Sequence, residues 1–219
     1  LLRLSLFHLR TFRATVAGSF ITRLGIGGIP FLFPLLYQVG LGFSPIQSGL
    51  LMMPQAIAAM SLKLTMPKIL ARFGYRTVLV SNTIIIGLMI LLFATIGKGT
   101  PVWLIVIEVF SYGFFTSLQY TSMNTLVYAE INDEQASAAS TIASTMQQMS
   151  ISFGVASASL VTAFFVPDHA TSNPTTFIQG IHHAFFVLGA MTVISTLVFR
   201  GLRSGDGDTV SLKKDMHGG

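Results

Sequence analysis

Six stretches of the chain are apolar for long enough to cross hydrocarbon as helices: residues 14–37, 47–64, 78–96, 102–124, 138–166 and 181–199. A span needs about 20 mostly apolar residues, each rising about 1.5 Å. The pattern predicts an all-α membrane protein, a bundle of six transmembrane helices over 14–200. The second run is the least continuous, since it carries Pro54 and ends at Lys63, whose stem can snorkel to the headgroups. Polar punctuation separates the runs. Residues 1–13 alternate Leu and Phe with Arg3, Ser5, His8, Arg10 and Arg13, as an interfacial amphipathic linker would. Ser44-Pro45-Ile46-Gln47 is a helix start, with Ser at the N-cap, Pro at the first helical position and Gln placed to close a capping box. Asn132-Asp133-Glu134 puts carboxylates before the fifth run. Residues 167–180 read as a polar outer loop, and 201–219 as a Gly/Asp-rich disordered cytoplasmic tail.

Composition supports the bilayer. The 219 residues are 52% hydrophobic and 10% charged, against about 25% charged in a soluble domain, too little to coat a water-facing globule. Cys is absent, which removes disulfides and thiolate metal sites. The net charge of +5 sits at the ends of apolar runs, so it reads as topology rather than as a nucleic-acid surface. With the N-terminus inside, the inner segments hold Arg3, Arg10, Arg13, Lys68, Arg72, Arg76, Arg200, Arg203, Lys213 and Lys214, and the outer loops hold only Lys98. Both termini then lie in the cytoplasm, which requires an even number of spans. The chain starts at Leu1 without a signal peptide, and the expectation is a piece of a longer chain.

Two charges lie inside the runs. Arg23 is about 15 Å into the first, where exposure to lipid would cost at least about 3 kcal/mol, so it must face protein or water. It shares a helical stripe with Ser19, Gly27, Pro30 and Pro34, and the Gly25 to Pro30 run is expected to loosen the helix beside it. Glu108 heads a stripe of Tyr112, Phe115, Gln119 and Ser122, a polar-aromatic face suited to a wet cavity. Axial rise puts the two charges within about 5 Å in depth, which allows a salt bridge or a proton-switched pair. The alternatives are an Arg that only holds helices together and a Glu that looks into an outer vestibule. His182-His183 diverge by about 100° and read as interfacial anchors rather than as one metal site. Gln147-Gln148, with Ser140, Ser144, Gly154 and Ala158, read as helix-packing residues. Nucleophile elbows, zinc pairs and phosphate or dinucleotide loops are missing from the sequence, so an enzyme, a cofactor and a metal are not expected.

Tyr37-Gln38, Gly40-Leu41-Gly42-Phe43-Ser44-Pro45, Gly49-Leu50 and Pro54 together resemble the second half of the fourteen-span drug:proton antiporters of the EmrB/QacA type, within the major facilitator superfamily. Arg72-Phe73-Gly74-Tyr75-Arg76 resembles the superfamily's cytoplasmic loop motif, with Ala71 where an Asp is frequent and Pro67 where the leading Gly would be. Ala136 to Ala143, Gln148-Met149 and Gly154-Val155-Ala156 resemble the fifth-span pattern, and Leu6-Phe7 with Thr11-Phe12 the linker entering that half. The resemblance implies one six-helix half of a major facilitator fold, with its first and fourth spans facing a central cavity. It further implies proton-coupled efflux of a small molecule or drug across a bacterial cytoplasmic (inner) membrane. On this reading Arg23, Glu108, Gln119, Tyr112 and Ser19 line the substrate and proton pathway, Arg72, Gly74 and Arg76 form the loop motif, and a missing N-terminal half is the partner. The alternatives are a non-transporting scaffold or sensor and an inactive gene remnant.

Overall fold

The computed structural model describes residues 8–129, 131, 133–166 and 173–199. Among these residues every regular element is helical. Helix α1 spans Arg10–Ile26 and α2 Ile29–Pro34, and the chain runs on into a π-helical turn at Leu35–Gly40. Helix α3 spans Pro45–Leu92 and closes in a 3₁₀ turn, Phe93–Thr95. Helices α4 (Val102–Leu126), α5 (Asp133–Phe165) and α6 (Pro174–Phe199) complete the chain. The linker before His8, residues 167–172, the tail from 200 and the side chains of Lys63, Asp133 and Glu134 lie outside the described residues.

The first traverse is interrupted where the glycines and prolines fall. The Gly27 amide caps α1 by donating to the Arg23 carbonyl at 2.7 Å, and Pro30, which has no N–H, sits in the first turn of α2. Pro34 removes a further donor, and just after it the ladder widens: the Leu41 amide reaches the Leu36 carbonyl at 2.9 Å. The Ser44 capping box forms as expected, with Gln47 N donating to Ser44 Oγ at 3.2 Å and Ser44 N to Gln47 Oε1 at 2.9 Å.

Helix α3 is two traverses. Gly74 has φ 72° and ψ 159°, a conformation essentially reserved to glycine, and the chain reverses there. The arm before it runs parallel to α4, bringing Gln55 against Gly113 and Leu62 against Leu118. The arm after it runs antiparallel, bringing Tyr75 to Met123 and Leu126, Asn82 to Gln119, and Phe93 to Tyr112 with ring centres 5.2 Å apart. The expected loop between the second and third spans is therefore corrected to a hinge at one residue within helix. The chain traverses the bundle six times. Among the described residues five stretches are long and apolar enough to cross a membrane: Thr11–Gly40, Thr65–Thr95, Val102–Leu126, Gln135–Phe165 and Pro174–Phe199. The first arm of α3 supplies the remaining traverse.

Helix α6 begins seven residues before the expected 181, so the second half of the expected outer loop is helical. Asn173 Oδ1 accepts from the Thr175 amide at 3.1 Å, Pro174 opens the helix, and Phe177 and Ile178 bury in the core. Small residues set the helix spacing. A Cβ added at Gly154 would lie 2.9 Å from the Arg23 carbonyl, and one at Gly113 would lie 2.6 Å from Gln55 Cα.

Candidate functional site

The two intramembrane charges occupy separate sites. On α1, Arg23 is 2% exposed. Its Nε donates to Ser19 Oγ at 3.1 Å, one turn earlier, and its Nη2 to Asn124 Oδ1 at 3.2 Å on α4. The guanidinium also lies over the Tyr120 ring, 4.0 Å from its centre. These partners are neutral. A small cavity beside them is lined by Ser19, Phe20, Asn124 and Gln147. Asn124 is two residues from the C-terminal end of α4, so the charged head lies near that end rather than at mid-depth. Two causes combine: α1 begins at Arg10, earlier than the expected span, and helical side chains lean toward their N-terminus.

Glu108 is 6% exposed and lies between about 18 and 24 Å from the Tyr120 to Asn124 level along α4. The expected approach of the two charges in depth is thus corrected, and they do not pair. Glu108 Oε2 is buried without a hydrogen-bond partner, as is the hydroxyl of Tyr37 on the π-helical turn. Around them is an aromatic cluster. Phe33 stacks on Tyr37 at 5.4 Å and meets Tyr112 edge-on at 6.2 Å, while Phe93 contacts both Phe33 and Phe185. Tyr112, one turn after Glu108, is fully enclosed.

Gln119 and Ser122 share the Glu108 face and are fully buried too. Gln119 is committed to packing: its Nε2 donates to Thr83 Oγ1 at 2.7 Å, and its Oε1 accepts from Asn82 Nδ2 at 2.9 Å. Asn82 Nδ2 also donates to the Phe115 carbonyl at 2.7 Å. The expected wet face of α4 is therefore corrected to the interior of this bundle, where polar groups bond across helices because lipid offers them nothing. Of the expected pathway residues, the structure brings together Arg23 with Ser19, and Glu108 with Tyr112.

Sequence reasoning did not find Tyr120, Asn124 or Tyr37. Tyr120 and Asn124 are one turn apart but about 120° to 160° around α4 from Glu108, so a stripe drawn through Glu108 misses them. Near the start of α6, His182 Nε2 donates to the Ile96 carbonyl at 2.8 Å, and His183 stacks on Phe165 at 5.0 Å. At the α3 hinge, Arg72 and Arg76 are exposed on either side of Gly74.

Comparison with known proteins decides the family. The model of the Major Facilitator Superfamily matches residues 15–215. The chain belongs to the Major Facilitator Superfamily. This is a family of transporters rather than enzymes. The chain is 38% identical to a multidrug resistance protein MdtD of Cronobacter sakazakii, over 75% of this chain and 35% of that protein. It is 32% identical to the protein of that name from Escherichia fergusonii, over 98% of this chain and 45% of the relative. The Pectobacterium atrosepticum relative is also 32% identical, over 92% of this chain and 42% of its own length. The chain thus spans less than half the length of these relatives. The superfamily match, the all-helical bundle and its five crossing stretches make it an integral membrane protein.

Proposed function

We propose that this chain is the C-terminal half of a secondary active transporter that exports a small molecule or drug in exchange for protons. It sits in a bacterial cytoplasmic membrane with both termini inside. The observation that carries the reading is Glu108: a carboxylate inside a superfamily bundle, with one buried oxygen left without a partner, is a group that can take up and release a proton. In this reading Arg23 and Ser19 serve the inner part of the pathway, and Glu108 and Tyr112 the outer part. Gln119 holds α4 against α3 behind them, and Arg72, Gly74 and Arg76 form the inner hinge.

Helix α5 supports a second half as partner. Only 17% of its most apolar window is buried, against 44% or more for the other crossing stretches. Ser137, Thr141, Ser144, Thr145, Gln148, Ser152 and Ser159 are exposed and fall along one side. A hydroxyl and amide stripe suits contact with protein or a watery passage better than lipid. Alternating access also needs two halves moving about a shared site. The relatives named for multidrug resistance support export as the direction.

Vesicles containing the complete protein test the reading: substrate addition is expected to move protons. No such movement with a panel of organic cations and anions would overturn it and leave a scaffold or sensor as the better account.

A further inference from the structure

An apolar groove of about 340 Å³ lies at the outer end between α3 and α4, but it has no charged residue at its mouth. A second groove, at the inner end, is different. It has a volume of about 260 Å³ and runs between the two arms of α3 and α4, with Ile69, Phe73, Val78, Ile85, Phe114 and Leu118 among its walls. Two of its three polar lining residues have their hydrogen bonds met by protein, and the third, Thr77, is exposed. Ser81 Oγ donates to the Thr77 carbonyl at 2.6 Å, and the Asn82 amide donates to α4. Apart from Thr77, what remains for an occupant is mostly hydrocarbon. Phe73, at the mouth, is 55% exposed.

Three cations neighbour the lining residues Ile69, Phe73 and Thr77 in the chain. Lys68 and Arg72 lie one turn apart on the last turns of the first arm, Arg76 lies just beyond Gly74, and all three are exposed. Helix α3 contains no acidic residue, and the carboxylate of α4, Glu108, is at the helix's opposite end. The guanidinium of Arg72 rests 5.7 Å from the Phe73 ring centre, which joins the charged cluster to the apolar wall. A basic pocket opening into an apolar trench between membrane helices fits a molecule with an anionic head and a hydrocarbon tail.

We propose that this groove binds an anionic phospholipid, its phosphate held by Lys68, Arg72 and Arg76 and one acyl chain lying between the arms of α3 and α4. This site is independent of Arg23 and Glu108 and does not rest on the transport reading.

Native mass spectrometry of the detergent-purified chain, titrated with phosphatidylglycerol or with phosphatidylcholine of the same acyl chains, tests it. Phosphatidylglycerol is expected to be retained several-fold more. The triple variant K68Q/R72Q/R76Q should lose that preference, and Ser81→Phe, which fills the groove, should weaken binding of both lipids. Equal retention by the unmodified chain, an undiminished preference in the triple variant, or displacement by millimolar glycerol phosphate would each overturn the proposal. The last would indicate a phosphate site with no acyl chain. Should the triple variant fail to fold, a phosphatidylglycerol with a photoreactive acyl chain is expected to label Phe73 or Phe114 in the unmodified chain. Labelling confined to other helices would overturn the site.

Discussion

At the scale of single residues, the bundle sets two buried charges apart from amides that bond across helices. Arg23 gives up hydration for two neutral acceptors and a ring face, and such a buried charge contributes little net stability. Arg23→Leu is therefore expected to leave the detergent melting temperature unchanged or raised, while transport by the complete protein is lost. A large fall in melting temperature would make Arg23 a structural tie. Gln119 is the reverse case. Gln119→Leu breaks its bonds to Asn82 and Thr83, each of which keeps one other bond, and should cost about 1 kcal/mol in mixed-micelle unfolding. Transport should survive it. Which residues are charged and submerged was legible in the sequence, because lipid makes a lone charge conspicuous. The partners were not, since Tyr120 and Asn124 are ordinary polar residues whose roles depend on where α1 crosses α4.

At the scale of elements, apolar runs located the traverses, while their ends and breaks followed from particular residues. Ser44 and Gln47 announced a capping box that forms, and Gly27, Gly28 and Pro30 announced the break in the first traverse. Asn173 and Pro174 were read as loop although they also start a helix, which the buried Phe177 and Ile178 then anchor. That the chain reverses between the second and third runs was legible, but that the turn is the single residue Gly74 was not, because residues on both sides of it stay helical. Gly74→Ala should cost about 1–3 kcal/mol, read as a lower melting temperature, since a Cβ strains this backbone even with open space around it. Gly113→Leu acts by contact instead. With Gln55 backbone 2.6 Å from a Cβ there, the first arm of α3 must move away, and folded yield in detergent should fall sharply.

At the scale of the whole molecule, the proposed transporter needs a second half to cover α5. In that proposal each half exposes on one side what its partner would bury, and the Ser/Thr/Gln stripe of α5 has that character. Introducing Leu at both Ser144 and Gln148 should leave this bundle folded yet weaken its co-purification with a separately expressed N-terminal half. Undiminished association would place the partner elsewhere. The central claim is narrower, that Glu108 carries the proton whose inward movement drives export. The direct measurement is substrate movement in vesicles of the complete protein, with and without a proton gradient, comparing Glu108 with Glu108→Gln. The account predicts that the variant still equilibrates substrate without a gradient but no longer accumulates it against one. Gradient-driven accumulation at the unmodified level in Glu108→Gln would contradict it.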